Sequence, residues 1–156
     1  MLNKLFGNGR KKVPVEPIFP AENFTIFKLN LEEGLAFATI NTGYNHYPNK
    51  SLFPWCAQIL LVIQDKNENG HPTNEEAALL NEIEEKIAEF LRQKHTVHMI
   101  GRVTRNGERD ILYYIDKPKL DMEETKAFFD RINEIRNLNL TLGNDPEWKL
   151  VGAFIK

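Results

Sequence analysis

The sequence predicts an α+β domain in which an antiparallel sheet carries both helices on one face. Three observations point there. Two segments show helical periodicity behind clear N-caps, several short runs have β-type character, and an Asn-Gly pair joins two of those runs as a hairpin. Read from Trp55, the order of elements is β-α-β-β-α-β, the ferredoxin-like arrangement, with a further hairpin before it.

The N-terminal hairpin is expected from Phe24 to Leu29 and Leu35 to Ile40, with Glu32, Glu33 and Gly34 between them. It either extends the sheet or shields the face away from the helices. Asn41 to Pro54 reads as a loop, broken by Gly43, Pro48 and Pro54. Trp55 to Ile63 is apolar at nearly every position, as a central strand covered on both faces would be. After the polar turn Asp65 to His71, Thr73 and Glu76 form a capping box at the start of a helix. Leu80, Ile83, Ile87, Phe90 and Leu91 keep helical spacing to about Lys94 and form its core face.

His95 to Arg105 and Glu108 to Asp116 flank Asn106-Gly107, a type I′ turn signal that also sets a register. In that register Arg105 faces Glu108, Arg102 faces Ile111 and Ile100 faces Tyr113. One face then carries His98, Ile100, Arg102, Thr104, Arg109, Ile111, Tyr113 and Ile115. Asp121 caps a second helix with Thr125, Phe128, Ile132 and Ile135 inward and Phe129 beside them. Leu138 to Leu142 is a short strand, Asn144-Asp145-Pro146 breaks it, and Trp148 to Ile155 is a last apolar segment, strand or short helix.

The 156 residues, 42% hydrophobic and 27% charged, suit one domain with a real core. Residues 1–21 read as a flexible basic and Pro-rich N-terminal segment, and 22–156 as a single α+β domain. Residues 1–12 hold Lys4, Arg10, Lys11 and Lys12 without an acid, and Leu2, Leu5 and Phe6 allow only weak membrane contact. The formal charge of −2 argues against DNA and disfavours RNA as a partner. No apolar run is long enough for stable membrane insertion, and one cysteine with no export signal points to the cytoplasm.

Four stretches in order and spacing carry a resemblance. They are Phe53-Pro54-Trp55; Gly70-His71-Pro72-Thr73 with Glu76; Gly101-Arg102 with Thr104, Gly107, Arg109 and Tyr113-Tyr114; and Asp145-Pro146-Glu147-Trp148. Over roughly Glu22 to Leu150 the chain resembles the bacterial domain-of-unknown-function family 695. That resemblance implies a ferredoxin-like fold and no catalytic residues. More distantly, by architecture alone, the chain is similar to the regulator of ribonuclease E activity B, which binds and inhibits an RNA-processing enzyme.

No constellation of residues stands out as catalytic, and no cofactor or metal site is expected. His95 and His98 sit three apart on a strand and so point to opposite faces. Cys56 in the central strand reads as a buried structural thiol. His71 reads as a turn residue and His46 as a loop residue. Glu75, Glu76, Glu82, Glu84, Glu85 and Glu89 read as the solvated face of an acidic helix. The best candidate recognition surface is the hairpin face with His98, Arg102, Arg109 and Tyr113 among isoleucines, with Trp148 as a second point of interest, a core anchor or a pocket rim. The expected function is a non-enzymatic protein-binding or regulatory module, acting on a protein partner or as a homodimer. The alternatives are a small enzyme using Arg102, Arg109, His98 and Asp110 or Glu108, and an RNA-binding regulator with a positive stripe at Arg102 and Arg109.

Overall fold

A computed structural model of the chain describes residues 12–156; the expected membrane contact of the basic tail falls outside them. Six strands form one antiparallel sheet: β1 (Phe24–Leu31), β2 (Gly34–Asn41), β3 (Trp55–Val62), β4 (Val97–Arg105), β5 (Glu108–Ile115) and β6 (Leu138–Asn144). Their spatial order is β1-β2-β4-β5-β3-β6. Helix α1 (Asn74–Arg92) joins β3 to β4, and α2 (Met122–Asn133) joins β5 to β6. The fold is thus α+β, with the hairpin β1-β2 continuing the sheet past β4.

Both helices lie on one face. Leu80, Ile83, Ile87 and Leu91 of α1 and Phe129 and Ile132 of α2 pack on Ala57, Ile59, Leu61, Ile111, Tyr113 and Ile115. Phe129, not Phe128, is the deepest aromatic of α2, while Phe128 stacks on Phe90 at 4.2 Å and Ile135 is left exposed. Thr73 Oγ1 accepts the Glu76 amide at 3.2 Å, but Glu76 does not return the bond. Its side chain accepts instead from the Gln64 amide and from Arg136 beyond α2, tying the ends of the two helices together.

The opposite face holds a second core. The segment after β2 forms two short 3₁₀ turns, Thr42–Tyr44 and Lys50–Leu52, and the chain ends in a third, Lys149–Val151. These bring Tyr44, Tyr47, Phe53, Trp148, Val151 and Ile155 onto Cys56, Ile100, Leu112 and Tyr114. The last apolar segment is therefore helical. Residues 12–21 lie against this layer: Val15 exchanges two hydrogen bonds with the Asn49 side chain, and Tyr47 donates to the Ile18 carbonyl. The face away from the helices is covered by loops and the chain end, not by the hairpin.

Asn106-Gly107 is a two-residue turn but not the type I′ expected, since Gly107 has positive φ, 76°, and Asn106 does not; the β4–β5 register still runs as a two-residue loop sets it from Arg105↔Glu108 to Gly101↔Leu112 and then slips. Ile100 is skipped, and Met99 pairs with Tyr113 and His98 with Tyr114. This is a β-bulge: two consecutive residues lean to one side and everything beyond changes face. The residue next to Ile100 is Gly101, whose hypothetical Cβ would lie 2.2 Å from the Thr39 carbonyl oxygen and 2.9 Å from Ile40 Cδ1. Only the absence of a side chain lets β2 approach there. Replacing Gly101 by Ala is expected to cost about 2 kcal/mol or more by overpacking this contact, read as a lowered urea midpoint with an unchanged slope.

Candidate functional site

The bulge divides the residues expected to share one surface. Arg102, Arg109 and Tyr113 lie on the helix side, while His98 and Trp148 lie in the second core. Tyr113 is fully buried and donates to the Glu84 backbone carbonyl at 2.9 Å; Arg109 is 4% exposed. The open face of cations and isoleucines does not exist, because Ile111, Tyr113 and Ile115 are under the helices and Ile100 faces the other way. Nor do Arg102, Arg109 and His98 converge with a carboxylate of β5. Asp110 pairs with Arg105 at 3.0 Å and accepts from Gln58.

What the helix side assembles instead is an ion cluster at the foot of a cleft. The cleft, about 690 Å³, opens between α1 and the strands β1, β2 and β4. Glu84 points from α1 into the sheet and is 3% exposed. Both its oxygens accept from Arg102 Nη1, at 3.1 and 3.2 Å. Arg109 Nη1 reaches the same carboxylate at 3.4 Å and Asn81 Oδ1 at 2.8 Å. Burial pushes the Glu84 carboxyl above the ordinary carboxylate range against the pull of the two guanidiniums, and the same burial lowers Arg109. Arg109 is sealed behind the helix, so no positive stripe links it to Arg102. The Arg102 side chain, by contrast, is 27% exposed and reaches the cleft.

His98 is enclosed on the other side. Its ring lies 4.1 Å from that of Phe53 and 4.8 Å from that of Phe19, with Tyr44, Tyr47 and Trp148 around it. Nδ1 meets the Tyr44 hydroxyl at 2.9 Å and Nε2 has no partner among the described residues. Burial holds the imidazole down at about 4, so it is neutral at pH 7. Trp148 is the anchor of the chain end: it stacks on Tyr114 at 4.2 Å and donates from Nε1 to the Phe53 carbonyl. Burial would raise Asp145, but bonds from the Leu150 amide, Tyr114 and the Lys149 amide outweigh it and hold the carboxylate ionised. The Cys56 thiol is pushed up to about 11 by burial. His71 ties the loop before α1 to the Leu35 carbonyl oxygen at 2.7 Å, and His46 sits in a loop with φ of 57°.

Glu84 was the residue hidden within the acidic run. It and Glu76 are buried, whereas Glu82, Glu85 and Glu89 face water. The spacing carries the signal: 76, 80, 83, 84, 87 and 91 follow one helical stripe, so two acids fall among the leucines and isoleucines.

The sheet, its two helices and the cleft beside α1 define a small α+β domain whose exposed polar centre is a clamped arginine. The chain belongs to the family of unknown function DUF695, matched over residues 22–155. Comparison with curated proteins and with solved structures found no match.

Two outcomes follow from these placements. Glu84→Ala leaves the buried Arg109 guanidinium, and the half-buried one of Arg102, without their counter-charge and is expected to cost about 3 kcal/mol in denaturant unfolding. For His98 the unfolded chain binds the extra proton between its ordinary 6.5 and the folded value of about 4, so stability falls as pH drops through that window. In His98→Phe that part of the pH dependence should vanish, while the lost Tyr44 partner costs about 1 kcal/mol at pH 7; urea midpoints between pH 4 and 7 read both.

Proposed function

We propose that this protein is a binding or regulatory module that engages a protein partner, a second copy of itself included, through the helix-side face of the β1-β2 extension. The observation that carries the reading is the exposure of apolar side chains on a strand that is the edge of the sheet among the described residues. Phe24 is 47% and Ile26 68% exposed on β1, the outermost strand, where the sheet runs on past α1. Exposed apolar side chains beside an unpaired strand edge are the usual features of strand-addition and groove-docking surfaces. No helix among the described residues is long and apolar enough to cross a membrane.

We further read β3-α1-β4-β5-α2-β6 as a ferredoxin-like unit. Its strands run β6-β3-β5-β4, the spatial order 4-1-3-2 within that unit, and the β1-β2 hairpin is an addition at the β4 edge. The lone buried thiol favours the cytoplasm as its compartment.

The test is affinity capture from a native lysate with the parent chain and with Ile26→Asp, alongside a solution mass for each. Ile26 is a surface position, so the variant should unfold within about 0.5 kcal/mol of the parent. A partner or a dimer held by the parent and lost from Ile26→Asp supports the reading. Recovery of the bait alone with a monomer mass, or equal recovery by both chains, overturns it.

A further inference from the structure

We infer that the cleft beside α1 reads a carboxylate, presented next to an apolar group, through the free edge of Arg102. The inference rests on this face being the contact surface and names the chemistry that it recognises. Glu84 occupies only Nη1 of Arg102. The Nε–H and Nη2 edge has no protein partner among the described residues, and these atoms are not among the buried unpaired ones, so water reaches them. That edge offers two parallel N–H groups in the plane that matches a carboxylate. Such an arginine is ready for use. Its orientation is fixed by a carboxylate that is itself buried and held beside Arg109, so little side-chain freedom is lost when a ligand docks.

The surroundings choose among anions. Arg92, the other cation among the described residues that line the cleft, is engaged by Glu85 at 3.1 Å. Glu22 and Glu84 add negative charge to the same walls. A phosphate dianion would meet that charge with one free guanidinium edge to offset it, whereas a carboxylate brings a single charge. Met99, Val97 and Phe24 line the cleft beside Arg102 and supply apolar contact for whatever carries the acid. An acidic side chain or chain terminus flanked by an aromatic or aliphatic residue has this chemistry.

The full-length protein, isotope-labelled, is titrated with hydrocinnamate, hydrocinnamyl alcohol and 2-phenylethyl phosphate. These share a phenyl group and differ in the head. Hydrocinnamate is expected to shift the Arg102 Nε–H resonance and the Thr39 and Met99 amides, binding at least about tenfold tighter than the alcohol, the contribution of a charge-assisted pair. In Arg102→Lys, which keeps the charge but not the planar edge, its affinity should fall by about tenfold. Equal binding of the alcohol, tighter binding of the phosphate, or no loss in Arg102→Lys overturns the inference, and the three-probe comparison on the parent chain decides even where the variant is unstable. The capture experiment separates the two readings. A partner lost from Ile26→Asp but kept by Arg102→Lys sinks the carboxylate reading alone, and bait without partner sinks the binding-module reading while the titration still judges the cleft.

Discussion

Much of this structure depends on one unpaired residue in β4. Ile100 is skipped in the pairing with β5, and the strand therefore presents opposite faces along its two halves. Val97 and Met99 turn to the helices, as Arg102 and Thr104 do, while His98 and Ile100 turn to the aromatic layer. Without the bulge, strict alternation from Arg102 would drive His98 under α1 and leave the second core without its centre. The glycine beside it makes the slip feasible, because Ile100 and Gly101 lean the same way and only one of them has a side chain to place. The same glycine lets β2 join β4 at close range, so the sheet's extension and the aromatic core share a cause.

The cleft follows from a mismatch in width. Strands lie about 4.8 Å apart and packed helices about 10 Å apart, so two helices cover roughly four strands. Six strands are present, and the two left over on the helix side are β1 and β2. On the other side the mismatch is absorbed by the loop after β2 and the chain end, which cover β2, β4, β5 and one end of β3. The bare strip is thus a consequence of topology, and the residues that line it are not those of an ordinary solvent face. Ile26 and Phe24 stand where polar side chains would serve solubility better.

How far the sequence was legible varied with the range of the interaction. Caps and turns are local: Thr73 and Asp121 cap as their residue types require, and Asn106-Gly107 closes a two-residue hairpin, although with Gly107 alone at positive φ and not as the type I′ turn expected. The register held for the residues nearest the turn and failed where a long-range contact, β2 against Gly101, imposed a bulge. A glycine inside a strand was the visible sign of it. The burial of Glu84 and Glu76 escapes a reading of charge for a different reason. Counting charge along α1 gives an acidic helix, but burial is decided by angular position, and these two acids sit on the apolar stripe with Arg102, Arg109 and Arg136 reaching them from other elements. Partners distant in sequence cannot be assigned from spacing. The covered second face was missed because its cover is made of loops, whose packing has no period to read.

The placement of the reactive side chains bears on what the exposed surface is for. Cys56 is buried with its thiol held protonated, His98 is neutral inside an aromatic shell, and Asp145 is committed to capping the last turn of the chain. Glu84 is shared by two guanidiniums. Each of these groups is spent on the architecture, and they are divided between two cores separated by the sheet. Among the described residues of these buried clusters, Arg102 is the polar group left accessible, where the helix layer stops short of β1 and β2. A side chain fixed on its buried side and free on its outer side is organised for recognition, since the orientation that a ligand would otherwise have to impose is already set by the fold.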